Sequence, residues 1–282
     1  MDGLRVGGQG VYDLVNKVAV VAGGSGGIGA AAARRLAAAG AIVVVGYHRD
    51  AARAETIAAD LPGNGHWVAR LSVDDTATVE EAARAVRERH GTVDVLVNAA
   101  GITRRIAHSD LDALDDETFD QIYAVNVRGT FALAKAFAPL LKASGDGVLI
   151  NVSSLSALTG KGSSIAYCAS KAAVDTMGQS LARVLAPEVR VIAISPAAVD
   201  TGFVPGRDRE AIAAQARATP LRILVDPDDV AVSVLGAITH LRLATGSVVL
   251  VDGGLHLGGN PGPGPEPSAG ETGLRRLSPT YP

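Results

Sequence analysis

The chain has a single cysteine, Cys168, in 282 residues. One thiol cannot form an internal disulfide, which excludes a disulfide-stapled scaffold and points to a reducing, cytoplasmic compartment. Aromatic residues make up only 4% of the chain, so a core must be built from small and β-branched side chains. The six histidines are scattered without metal-ligand spacing, and no metal is expected. No unbroken apolar run approaches the roughly 20 residues of a membrane-spanning helix, so no membrane partner is expected. The first sixteen residues lack the apolar stretch of a secretory signal. A formal net charge of −3 leaves no basic field for nucleic acid.

What is present is an alternation. Short apolar runs at 17–22, 41–46, 66–71, 93–97, 147–152, 188–194 and 247–251 read as strands. Helical patterns at 27–39, 50–60, 76–90, 117–143, 165–185 and 227–240 separate them. Strands without polar alternation are covered on both faces. Their regular exchange with helices predicts an α/β fold, a Rossmann-like doubly wound parallel sheet flanked by helices on both faces. The expected organisation is an N-terminal extension (1–16), a single domain (17–257) and a Pro/Gly-rich, disordered tail (258–282). Residues 200–224 are polar, hold Pro205 and Pro220, and are expected to form a mobile lid. No internal repeat is visible.

The first strand runs into Gly23-Gly24-Ser25-Gly26-Gly27-Ile28-Gly29, which opens the first helix. Glycines allow a sharp turn and close backbone approach to a pyrophosphate, and a helix N-terminus offers free N–H groups to it. Gly23, Ser25, Gly27, Ile28 and Gly29 are therefore candidate dinucleotide contacts. The end of the second strand discriminates between cofactors, because an acidic residue there binds ribose hydroxyls and repels a 2′-phosphate. This chain has Tyr47, His48 and Arg49 instead, with no carboxylate before Asp50. Arg49 suits a phosphate. The expected cofactor is NADP (NADPH) rather than NAD.

Tyr167 and Lys171 are four residues apart and share one helix face. A cation beside a phenol favours the phenolate and lowers its pKa. Such a pair alone is common on protein surfaces. Here Ser154 closes a strand thirteen residues earlier, at the carboxyl end where open α/β sheets bind ligands.

With these residues in order, the sequence resembles the short-chain dehydrogenase/reductase (SDR) family from about residue 17 to 257. The resemblance rests on the glycine turn, Asn98-Ala99-Ala100-Gly101, Asn126, Ser154, Tyr167 with Lys171, and Val251-Asp252-Gly253-Gly254. It implies a catalytic set of Asn126, Ser154, Tyr167 and Lys171. Ser154 would polarise a substrate carbonyl and Tyr167 would act as the acid or base. Lys171 would bind the nicotinamide ribose and lower the tyrosine pKa, and Asn126 would hold a relay water. Hydride would pass between the nicotinamide and the substrate carbon. Further cofactor contacts implied are Ser72, Val73, Asn98, Ala99, Gly101, Pro196, Ala197, Val199 and Thr201.

Four positions depart from the family pattern: Ala22, where threonine is usual; Ala99, where a second asparagine is common; Ser72, where an aspartate often contacts adenine; and Ala197, in place of glycine. Losing both polar partners of a pair is nearly neutral, whereas losing one strands the other, so Ala22 and Ala99 are expected to compensate. The layout is most similar to 3-oxoacyl carrier-protein reductases and polyketide-type relatives. That implies ketoreduction of a small-molecule or carrier-bound carbonyl substrate. Arg207, Arg209, Arg217 and Arg222 in the lid suit an anionic carrier or a coenzyme A phosphate. Thr103-Arg104-Arg105 is similar to sugar-acid and polyol dehydrogenases, the alternative reading. A catalytically retired, cofactor-binding or structural subunit is the third. The resemblance also implies a homotetramer through the two long helices; the apolar stripe Phe131, Ala134, Ala138 and Leu141 is consistent with that, and core packing explains it equally well.

Overall fold

Seven apolar runs become strands: β1 (Val18–Ala22), β2 (Ile42–Tyr47), β3 (Trp67–Arg70), β4 (Val95–Asn98), β5 (Gly147–Val152), β6 (Val189–Pro196) and β7 (Ser247–Val251). In the computed structural model, which describes residues 14–258, they form one sheet in the order β3-β2-β1-β4-β5-β6-β7. Every pairing is parallel. Most of the expected N-terminal extension and of the Pro/Gly-rich tail lies outside the described residues.

The helices are α1 (Gly27–Ala38), α2 (Ala51–Ala59), α3 (Thr76–His90), α4 (Asp116–Tyr123), α5 (Gly129–Ala143), α6 (Ser156–Thr159), α7 (Ile165–Leu185), α8 (Arg209–Arg217) and α9 (Pro227–Thr239). Strand alternation feeds two cores. Ala19, Val21, Val43, Val45, Ile150 and Ile192 face the layer of α1, α2 and α9. Val18, Val20, Val44, Leu96, Leu149 and Val191 face the layer of α3, α5 and α7. Each fully buried valine or leucine contributes about 1.5–3 kcal/mol, which is how a chain nearly without rings builds two cores.

One expectation needed correction. The single helix expected over 117–143 is α4 and α5 joined by a π turn, Ala124–Arg128. Thr130 Oγ1 donates back to the Asn126 carbonyl at 2.6 Å, and Gly129 sits so close to Val73 that a Cβ would lie 2.8 Å from it. An apolar pattern of helical period does not reveal one extra residue in a turn. The polar segment 200–224 contains a helix, α8, capped by Asp208 and burying Ile212 and Ala216. Its prolines flank the helix instead of interrupting it.

Candidate active site

The strand order reverses at β1, which pairs with β2 on one side and β4 on the other. Crossovers on opposite sides of this point leave a crevice beyond the strand C-termini. A cleft of about 1090 Å³ occupies it. The glycine turn forms its floor. Gly23 has φ +71°, and a Cβ on Gly29 would sit 2.2 Å from the Gly23 carbonyl oxygen. A Cβ on Gly27 would be 2.6 Å from Thr201 Cγ2. These glycines are there because no side chain fits.

The helix it opens differs from the six that carry a side-chain cap. Helices α2, α3, α4, α7, α8 and α9 each begin on an Asp or Ser whose side chain accepts a backbone N–H. Helix α1 begins on Gly26 with no side-chain cap and no acid in its first turn. Its N–H groups are left to an outside anion. Ser25, Gly27 and Ile28 line the cleft with Gly23 and Gly29, so the residues present fit a dinucleotide pyrophosphate.

At the adenosine end, His48, Ser72 and Val73 line the cleft as expected, but Tyr47 and Arg49 do not. Strand alternation sends Tyr47 to the helix-covered face, where it packs on the core. The chain then turns at Asp50, the cap of α2, and Arg49 is left exposed before the turn. Arg53, on the first turn of α2, lines the cleft in its place. Asp74 is a second residue the sequence argument missed. Ser72 Oγ donates to its carboxylate at 2.6 Å, and that bond, with nearby His48 and Arg128, holds Asp74 below the usual carboxylate range.

Ser154, Tyr167 and Lys171 meet in the same cleft. Ser154 stands at the end of β5. Ser164 caps α7 by accepting the Tyr167 amide at 3.3 Å, which fixes where the helix starts and therefore where the phenol points. Ser154 lies beside the phenol and favours its ionised form. Lys171 Nζ donates to the Val152 carbonyl at 2.8 Å and lies 5.8 Å from the centre of the tyrosine ring.

The expected lowering of the tyrosine pKa by Lys171 is not found. Burial pushes Tyr167 up to about 12, and Ser154 only partly opposes it. Burial also pulls Lys171 down to about 8, against the carboxylate of Asp175. Desolvation penalises each charged form more than the neighbouring charges favour it.

The two asparagines are braces lying behind the cleft wall. Asn126 Oδ1 accepts from Ile102 N at 2.9 Å, and its Nδ2 donates to Ile102 O and Ser170 Oγ. Its amide makes no bond to Lys171. Asn98 Nδ2 donates to Thr130 Oγ1 at 2.8 Å, tying β4 to α5. Ala99 and Gly101 do line the cleft, as do Pro196, Ala197, Val199 and Thr201 opposite them. Ala22 is fully buried and its carbonyl accepts the Ala99 amide at 3.0 Å, so the two apolar replacements are direct neighbours.

Comparison with known proteins agrees with this geometry. A family model described as enoyl-(acyl carrier protein) reductase matches residues 22–256. A protein of Streptomyces violaceoruber, named as a ketoacyl reductase of the granaticin polyketide synthase, is 40% identical over 217 residues. That match covers 76% of this chain and 86% of the relative. A short-chain dehydrogenase of Burkholderia cenocepacia, solved in complex with NADP, superposes with a TM-score of 0.76 at 33% identity, covering 86% of this chain and 98% of its own. The chain is a short-chain dehydrogenase/reductase. A 7α-hydroxysteroid dehydrogenase complexed with NADH and 7-oxo glycochenodeoxycholic acid superposes at 0.79 with 27% identity, covering 86% and 95%.

In this dehydrogenase/reductase the segment 200–224 reaches Tyr167. The Phe203 ring lies 5.9 Å from that of Tyr167, tilted by 54°. The lid is anchored at its far end by the Val251-Asp252-Gly253-Gly254 turn. Leu221 N donates to Gly253 O at 3.0 Å, and Gly254, at φ +86°, passes so close to Pro220 that a Cβ would be 2.9 Å from it. Asp252 holds the turn by accepting from the Gly254 amide and from both the amide and ring of His256. Cys168 is buried, and Gly162 and Ser156 crowd its sulfur. Among the described residues no helix is long and apolar enough to cross a membrane, and no His/Cys/Asp/Glu group is arranged to hold a metal.

Proposed function

We propose that this enzyme is an NADP(H)-dependent reductase of ketones on acyl- or polyketide-like substrates. The observation that carries the cofactor choice is the adenosine end of the cleft, where His48 and Arg53 face inward and β2 ends without a carboxylate. Arg53 takes the phosphate-binding role first given to Arg49. Its guanidinium suits a 2′-phosphate. Asp74 stands nearby, beyond β3 and bonded to Ser72, where it suits the adenine amine.

The bound nicotinamide supplies the hydride. The protein supplies the rest. The uncapped start of α1 holds the pyrophosphate, and Lys171 reaches the nicotinamide ribose. Ser154 donates to the substrate carbonyl oxygen, and Tyr167 delivers a proton to that oxygen. A phenol held near 12 stays protonated at neutral pH, which is the form needed for reduction. The Streptomyces relative supports the acyl reading. The Arg105 side chain in the cleft keeps sugar-acid oxidation as the second reading.

The test is a comparison of KM for NADPH and NADH in ketone reduction. NADPH is expected to bind at least about tenfold more tightly, and Arg53→Ala to remove most of that margin, since a charge-assisted bond is worth about 1.5–3 kcal/mol. A preference for NADH overturns the cofactor reading. Cofactor binding without turnover on any ketone or secondary alcohol would place the chain with retired, binding-only members. A reducing cytoplasm and a homotetramer belong to the same reading. Exposed apolar residues on α5 (Phe131), α7 (Ile165, Val184) and β7 (Val248) support self-association.

A further inference from the structure

Of the four lid arginines, two are already committed. Arg209 pairs with Asp200 at 3.1 Å, and Arg217 pairs with Glu210. Neither pair lines the cleft. Arg222 lies outside the cleft lining. Arg207 is different. It lines the cleft beside Tyr167 and Phe203, and no ion pair engages it among the described residues. The charged and titratable groups acting on it are the phenol of Tyr167 and a second guanidinium, that of Arg105.

Arg105 comes from the other wall, the loop after β4. Its neighbour Arg104 turns away and donates to Thr118 Oγ1 on α4 at 2.7 Å. Arg105 instead crosses to the lid, donating Nη1 to the Gly206 carbonyl at 2.8 Å. That bond sets one guanidinium next to the residue carrying the other. Ile106, the next residue, is held to the opposite wall through Ser163 O at 2.8 Å. The two arginines therefore flank the substrate end of the cleft, away from the glycine turn that receives the pyrophosphate. Two like charges placed together repel. Part of Arg207 is also desolvated, which pulls its pKa below the ordinary arginine value; Tyr167 opposes that pull and Arg105 adds to it.

We infer that Arg105 and Arg207 form an anion subsite beside Tyr167, and that the substrate is a ketone bearing its own carboxylate. This rests on the reductase reading above and narrows it. Planar guanidinium groups from two walls match a carboxylate. The anion neutralises the pair and draws the lid toward the wall that carries Arg105. The Phe203 ring beside them packs on the carbon chain between the carboxylate and the reacting carbonyl. A carrier or coenzyme A phosphate, the partner first considered for the lid arginines, is not the group assigned here, since the subsite adjoins the reacting centre itself.

The test uses the full chain with NADPH and a matched series: 2-, 3- and 4-oxopentanoate, each against its methyl ester. At least one acid is expected to exceed its ester in kcat/KM by about tenfold or more, the scale of a lost charge-assisted pair. Arg105→Gln and Arg207→Gln should each erase that margin by raising KM for the acid, with the ester changed little. Arg207→Lys should restore part of it, and Arg217→Gln, which touches only the pair with Glu210, should leave the ratio intact. Esters reduced as well as acids would overturn the subsite while leaving the reductase reading standing, as would variants that lose acid and ester alike. If no oxo compound is reduced, the reductase reading falls, and calorimetry on the NADP⁺-bound protein decides the subsite alone. Oxo-acid binding that Arg207→Gln abolishes supports it; binding no tighter than the ester's, or none, overturns it.

Discussion

A tyrosine and a lysine four residues apart acquire their chemistry from burial. Tyr167 is protonated at neutral pH, as any ordinary phenol is, and burial raises its pKa further, to about 12. Lys171, pulled down to about 8, is charged below that value and neutral above it. Reduction needs the phenol protonated and the ammonium charged. The kcat/KM for ketone reduction is therefore expected to be flat through neutral pH and to fall as pH rises past about 8; a pH profile that instead climbs there would contradict the assignment. Tyr167→Phe should lower turnover at least ~100-fold, the loss of a positioned proton donor, measured with saturating cofactor. Both residues were legible in the sequence from their order relative to Ser154 and the glycine turn. The direction of their pKa shifts was not, because desolvation depends on what packs around them from β5, α7 and the lid.

Helix starts decide where the reacting groups sit. Ser164 is fully buried and caps α7 one turn before Tyr167. Ser164→Ala is expected to destabilise the fold by ~1 kcal/mol, within the usual range for a lost cap. It should lower kcat more than it raises KM for cofactor, because it loosens the first turn that aims Tyr167; chemical denaturation and steady-state kinetics read the two effects. At α1 the absence of a cap is the functional feature. The glycine pattern made that turn readable in the sequence. Arg53 and Asp74 were not readable, since each reaches the cleft only after the chain has turned at Asp50 or Ser72. The π turn in 117–143 was hidden for a related reason: the apolar period survives one extra residue.

The molecule as a whole shows which apolar surface is core and which is not. Of the stripe expected to drive association, Ala134 and Leu141 are buried in the core of this chain, and Ala138 packs against it. Phe131 alone of that stripe is exposed, at 51%. Of the two readings of the stripe, core packing accounts for most of it. Exposed apolar residues remain at Phe131, Val184 and Val248, on three elements of the same subunit. Light scattering is expected to show a tetramer, and Phe131→Arg to shift it toward smaller species by placing a charge where a ring would be covered. A monomeric wild type would dismiss the proposal.

The seven strands, the two-faced burial, the glycine turn and the Ser154–Tyr167–Lys171 set were legible in the sequence alone. Each depends on residue type and local spacing, which periodicity and backbone sterics translate directly. The tertiary structure decided the rest. It put Arg53 rather than Arg49 on the cleft, joined Arg105 to Gly206 beside Arg207, bonded the Asn126 amide to Ile102 and Ser170, and let burial outweigh the lysine at the Tyr167 phenol. Those outcomes depend on side chains far apart in the chain and on how much water their meeting excludes, and neither quantity is carried by any local stretch of sequence.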